Sequence, residues 1–138
     1  MELGKRIAVA PPDQVDSVRT PNDAYECVQD MRFLDREHFR VLLLTTKHRV
    51  IRIETVTIGT LNSSPVHPRE VFRPAIKHGA CAVVLAHNHP SGDPEPSSQD
   101  RQLTQRLVEA GRLIGIEVLD HIIVGDGRFV SLKERGSL

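Results

Sequence analysis

Residues 80–100 read ACAVVLAHNHPSGDPEPSSQD. The run 80–86 is apolar without alternation, the pattern of a strand covered on both faces in the middle of a sheet. Pro90 ends the strand, and the Pro- and Gly-rich run up to Pro96 is a loop. Ser97 or Ser98 starts a helix. The spacing of Leu103, Leu107 and Val108 carries it to about Ala110, with Gly111 as its stop. Strand, loop and helix in succession place His87 and His89 at a strand end and Asp100 on a first helical turn.

That placement suggests chemistry. His87 and His89 are two apart, so on extended backbone both imidazoles point the same way and can reach one ion. Asp100 can fold back from the helix as a third ligand. Two histidines and one carboxylate leave the fourth position of a tetrahedral zinc (Zn2+) site open to water, the catalytic rather than the structural arrangement. Zinc would bring the pKa of that water towards ~7. A nearby glutamate is then needed as general base and proton shuttle. Plainer readings stand beside this one. Ser97-x-x-Asp100 is also a helix capping box, and the two oxygens of a carboxylate allow both roles. His87-Asn88-His89 alone fits polar residues at a strand end. Asp93 and Glu95 flank the loop as competing acids. His48 and His78 read as turn residues and His67 as a helix cap. His121 reads either as a support behind the site or as a structural histidine.

Upstream, Thr20-Pro21-Asn22-Asp23 is a helix start, and Ala24, Cys27, Val28 and Met31 form that helix's apolar face. Residues 39–45 suit a central strand, 46–49 a turn, and 50–60, rich in β-branched residues, a second strand antiparallel to it. Residues 68–78 form a helix with Val71, Phe72, Ala75 and Ile76 inward. Gly79 is its stop, and Pro74 is expected to kink or shorten it. Downstream, 114–119 and 121–124 read as two short strands, Asp126-Gly127 as a hairpin turn and Phe129-Val130 as the last strand. The expected fold class is α/β, a mixed central β-sheet flanked by helices. Residues 1–19, with a helical fragment over 1–8, read as an N-terminal extension outside a single domain, 20–138.

Lys plus Arg and Asp plus Glu are both 18, so no net field draws the chain to nucleic acid or to an anionic membrane. Aromatics at 4% argue against stacking platforms for single strands. Cys27 and Cys81 read as buried thiols of a reducing, cytoplasmic compartment. No apolar run is long enough to span a bilayer. Asn62-Ser63-Ser64 matches a glycosylation acceptor, which without a secretory signal carries no weight.

His87-x-His89-Pro90, six residues, Ser97, two residues, Asp100 resembles the motif of the JAMM (MPN+/JAB) zinc metalloprotease superfamily at every defined position. His67-Pro68-Arg69-Glu70, the stretch 86–93 and Leu119-Asp120-His121-Ile122-Ile123-Val124-Gly125 narrow the resemblance to RadC-like JAB domains, from about Thr20 to Leu138. The resemblance implies a cytidine-deaminase-like (JAB/MPN) fold. It implies zinc ligands His87, His89 and Asp100, and a serine, Ser97, that steadies the reacting centre. It also implies a catalytic glutamate near the first core strand, which Glu37 matches best, ahead of Glu54 and Glu70. Full-length RadC proteins usually carry an N-terminal helix-hairpin-helix-like domain. Residues 1–8 resemble the tail of its last helix.

Three functions follow. The first is a zinc-dependent hydrolase, a metallopeptidase or isopeptidase acting on a peptide or isopeptide. The second is a DNA-repair-associated or DNA-processing protein. The family name and the His-Asn-His triplet of some metal nucleases favour it, and the neutral charge opposes it. The third is a non-catalytic interaction domain, as ligand-poor relatives of this fold have become. The sequence leaves the substrate and the oligomeric state open.

Overall fold

The computed structural model describes residues 17–60 and 65–138. The helical fragment expected over 1–8, most of the extension to residue 19 and the Asn62 acceptor lie outside the described residues. A five-stranded mixed sheet runs in the order β2-β1-β3-β4-β5. Its strands are β1 His38–Leu44, β2 Val50–Ile58, β3 Ala82–Asn88, β4 Glu117–Val124 and β5 Phe129–Ser131. β1 pairs antiparallel with both β2 and β3, β3 parallel with β4, and β4 antiparallel with β5. As its unbroken apolar run predicts, β3 is the middle strand and is buried along its whole length.

Three α-helices cover the sheet: α1 Pro21–Val28, α2 Pro68–Lys77 and α3 Ser98–Ile114. A 3-10 helix, Gln29–Phe33, continues α1. Alternation along β1 and β3 sends Leu42, Leu44, Val84 and Ala86 to one face, against Ala24, Val28 and Met31. It sends Phe39, Val41, Leu43, Val83 and Leu85 to the other, against α2 and α3. The result is the α/β arrangement expected from the sequence. α1 starts as Thr20-Pro21-Asn22-Asp23 predicts. The Thr20 side chain accepts from the Asp23 N–H, Asp23 caps in return, and Pro21 needs no partner at the first position.

Several details differ from the sequence reading. α3 does not stop at Gly111. It runs on to Ile114 and ends on Gly115, whose φ of 79° is the left-handed cap. Gly111 is instead buried, because a Cβ there would stand 2.3 Å from the Ile116 carbonyl oxygen. The two strands expected over 114–124 are one. Val83 pairs with Val118 but Val84 with Asp120, so Leu119 is an extra residue, a bulge that interrupts the apolar pattern without ending the strand. α2 passes through Pro74 for three more residues and keeps its full ten. Ile76, expected inward, is 64% exposed, at the lip of a groove between α2 and α3 that Phe72, Ala110 and Ile114 also line. The cysteines are unpaired but not buried as expected. Cys81 precedes β3 and is exposed, and Cys27 is half-buried.

Candidate metal centre

The motif residues converge where the middle strand ends, on the face covered by α3. β3 carries His87 on its last turn of pleat, and His89 follows just beyond the strand. Pro90 and the loop to Pro96 reverse the chain, and α3 brings Asp100 back in its first turn. The loop is tied to the neighbouring hairpin. The His89 N–H donates to the Val124 carbonyl at 2.9 Å and the Asp126 N–H to the Gly92 carbonyl at 2.8 Å. Gly125 allows this approach, since a Cβ there would meet the Gly92 oxygen at 2.5 Å.

His87 Nε2 and His89 Nε2 stand 3.1 Å apart. Asp100 Oδ1 is 3.2 Å from the first and Oδ2 3.2 Å from the second. Ligands on adjacent corners of a tetrahedron with bonds of about 2.0–2.1 Å are separated by roughly 3.3 Å. These side chains therefore form a group that can hold a metal ion. His87 and Asp100 are 1% and 2% exposed, whereas the His89 side chain keeps 17%, so the group opens to solvent on the His89 side.

Hydrogen bonds fix which nitrogen of each ring is free. The Thr104 hydroxyl donates to the Asp100 carbonyl at 2.7 Å, so its oxygen accepts from His121 Nδ1–H at 2.6 Å. His121 lies wholly buried, and burial holds its pKa well below the ordinary histidine value, with His87 nearby adding to the effect. The neutral ring then presents Nε2 as an acceptor to His87 Nδ1–H at 2.8 Å, which leaves the lone pair of His87 Nε2 facing the site. His89 Nδ1–H donates to the Asp93 carbonyl at 2.8 Å, and its Nε2 faces the same point. Phe39 packs against both rings, stacked on His87 at 5.9 Å and edge-on to His121 at 5.5 Å. The support reading of His121 is thus the one the geometry bears out. Thr104 was missed; its only sequence signal is a polar residue on the helix face of Leu103 and Leu107.

Asp100 is placed so that both readings the sequence left open fit its carboxylate. Its Oδ2 accepts from the Ser97 N–H at 2.8 Å while Ser97 Oγ accepts from the Asp100 N–H at 3.0 Å, a complete capping box. Oδ1 faces His87. Burial pulls the Asp100 carboxyl up, but His87, His89 and the Ser97 N–H together hold it below the usual carboxylate range. The hydrogen bond to Asp100 raises His89 in turn, against burial. Glu37, half-buried just before β1, is close enough to His89 to add to that rise. Its competitors are engaged elsewhere. Glu54 forms an ion pair with Arg52 on β2, and Glu70 faces Arg69 and Arg73 on α2. Asp93 is exposed, and Glu95 pairs with Arg135, so neither joins the group.

A family model described as the RadC-like JAB domain matches residues 18–137. The chain belongs to the RadC-like JAB domain family. This RadC-like domain is 58% identical over 136 residues to a UPF0758 protein of Desulforudis audaxviator, covering 98% of this chain and 59% of that protein. It is 56% identical over 137 residues to a UPF0758 protein of Desulforamulus reducens, covering 99% and 60%. A third UPF0758 protein, from Caldanaerobacter subterraneus, is 52% identical over 137 residues, covering 99% and 59%. The chain thus spans about three fifths of the length of the curated relatives it matches. Among the described residues no helix is long and apolar enough to cross a membrane.

Proposed function

We propose that this RadC-like JAB domain is a zinc-dependent hydrolase of amide bonds, a metallopeptidase or isopeptidase. The observation that carries the reading is the triangle of His87 Nε2, His89 Nε2 and the Asp100 carboxylate, with both ring tautomers set so that their lone pairs face its centre. Two imidazoles and a carboxylate suit zinc and leave a coordination position open. Zinc bound there would supply a Lewis acid for a substrate carbonyl and would acidify water near neutral pH.

The chain's own residues do the rest. The Glu37 carboxylate takes a proton as the water oxygen bonds to the carbonyl carbon, and returns it to the nitrogen as the C–N bond breaks. The Ser97 hydroxyl donates to the carbonyl oxygen as charge gathers on it. Thr104 and His121 keep His87 in the metal-binding tautomer.

The test is metal content together with turnover. About one zinc per chain is expected in the wild type and none in His89→Ala. Cleavage of a peptide and isopeptide library, read by mass spectrometry, should vanish in Glu37→Gln while zinc stays bound. A zinc-loaded, active Glu37→Gln removes Glu37 from the role. A wild type that takes up no zinc brings down the hydrolase reading and favours an interaction domain. The equal charge counts give DNA processing no electrostatic support, and a salt-dependent DNA affinity of this domain would restore that reading.

A further inference from the structure

Within His87-Asn88-His89, the zinc reading leaves Asn88 without a task. Yet Asn88 ends β3 and is only 1% exposed. Backbone register between β1 and β3 reaches its last pair at Phe39 and His87. Beyond it the Asn88 side chain takes over. Its Oδ1 accepts from the His38 N–H at 2.7 Å, and its Nδ2 donates to the Arg36 carbonyl at 3.0 Å. These two groups lie on either side of Glu37. The Glu37 carbonyl itself accepts from the Gly59 N–H at 2.7 Å. Three bonds therefore fix the backbone around Glu37, and none of them uses its carboxylate. Burying a carboxamide is costly unless both of its ends are paired, and here both are. The task needs a donor and an acceptor on one short planar group. Asp lacks the donor, Ser lacks the reach and Ala lacks both.

We propose that Asn88 is a positioning residue of this site, whose carboxamide clamps the peptide groups flanking Glu37 and so aims the Glu37 carboxylate at His87, His89 and Asp100. The inference rests on the reading of Glu37 as the base. It also gives the His-Asn-His triplet a task unrelated to nucleic acid.

The test uses cobalt(II) as the probe. It is loaded into the wild type, Glu37→Gln, Asn88→Ala, Asn88→Ser and the double variant Glu37→Gln/Asn88→Ala, and the visible spectrum is followed against pH. Glu37→Gln should move the midpoint of the spectral change by about one pH unit, as expected when a neighbouring charge is removed. Asn88→Ala should move it in the same direction, and the double variant should move it no further than Glu37→Gln alone. Asn88→Ser, neutral but without the reach to join both peptide groups, should also move it in that direction. All five should bind cobalt at the same stoichiometry. If Glu37→Gln leaves the midpoint in place, the reading of Glu37 fails. If Glu37→Gln moves it and the folded Asn88 variants do not, the clamp fails. Loss of cobalt from a folded Asn88 variant also overturns the clamp, which leaves the ligands untouched. Should Asn88→Ala not fold, Asn88→Ser carries the same decision.

Discussion

The lone pair that His87 offers to the site is set at a distance, through His121 and Thr104, by a chain of bonds that ends on the Asp100 carbonyl. Thr104→Val keeps the shape and removes the acceptor of a buried N–H. The expected cost is about 1–3 kcal/mol in denaturant unfolding. Metal affinity should fall by about 10–100-fold in a chelator competition. An unchanged affinity would show that the His87 tautomer does not depend on the chain. The cysteines give a second residue-scale prediction. Burial, with Asp23 and Glu26 nearby, pushes the Cys27 thiol up to about 11. The thiolate is the reactive form, so at pH 8 iodoacetamide should modify exposed Cys81 well before Cys27. Peptide mapping would read the order. Because the thiol is raised in the fold, its contribution is present below its ordinary value of 9.0 and lost as pH rises towards about 11.

At the scale of elements, Gly111 and Leu119 show where local signals and packing part. Helix propensity alone predicts that Gly111→Ala stabilises α3 by about 1 kcal/mol. The Ile116 carbonyl at 2.3 Å from the added Cβ opposes this, since backbone must move to admit the methyl group. Overpacking of that kind costs about 1–3 kcal/mol, so net destabilisation is expected, and a raised melting temperature would refute the contact. The bulge at Leu119 has a larger consequence. Without it, Val118, Asp120 and Ile122 would share a face. With it, His121 and Ile123 turn to the side of Leu85 and His87. Asp120 is left to bind Ser131 Oγ, the His121 N–H and the Lys133 N–H, a structural duty at the strand edge.

Across the whole molecule, a metal bound to the His87, His89 and Asp100 group would compete with protons for it. Zinc at a hundred times its dissociation constant should stabilise the fold by about 2.7 kcal/mol, an increment lost with EDTA or in His89→Ala. pH should separate the two states. In metal-free protein the bond to Asp100 raises His89, so that contribution is complete below the ordinary 6.5 and fades as pH rises through the raised value. Asp100 stays ionised throughout, since it is held below its ordinary 3.8. In EDTA the stability gap between wild type and His89→Ala should therefore narrow from pH 6 to 9. In excess zinc it should widen over the same range, because the metal needs a neutral imidazole. Gaps of the same pH slope in both conditions would break the link between His89 and the metal.

The sequence by itself determined the order and type of nearly every element, the central place of β3 and the three side chains that meet. Each rests on local rules: an unbroken apolar run, a capping signal, the two-residue period of a strand. It also left Asp100 two readings, cap and ligand; the structure shows the cap and leaves an oxygen facing His87, where a ligand would be needed. Only the tertiary structure decided that Glu37 rather than Glu54 or Glu70 lies by His89, that His121 and Thr104 stand behind His87, and that Asn88 grips β1. Those contacts join residues far apart in the chain. They depend on sheet register, on one extra residue in β4 and on how α3 lies against the sheet, none of which local spacing encodes.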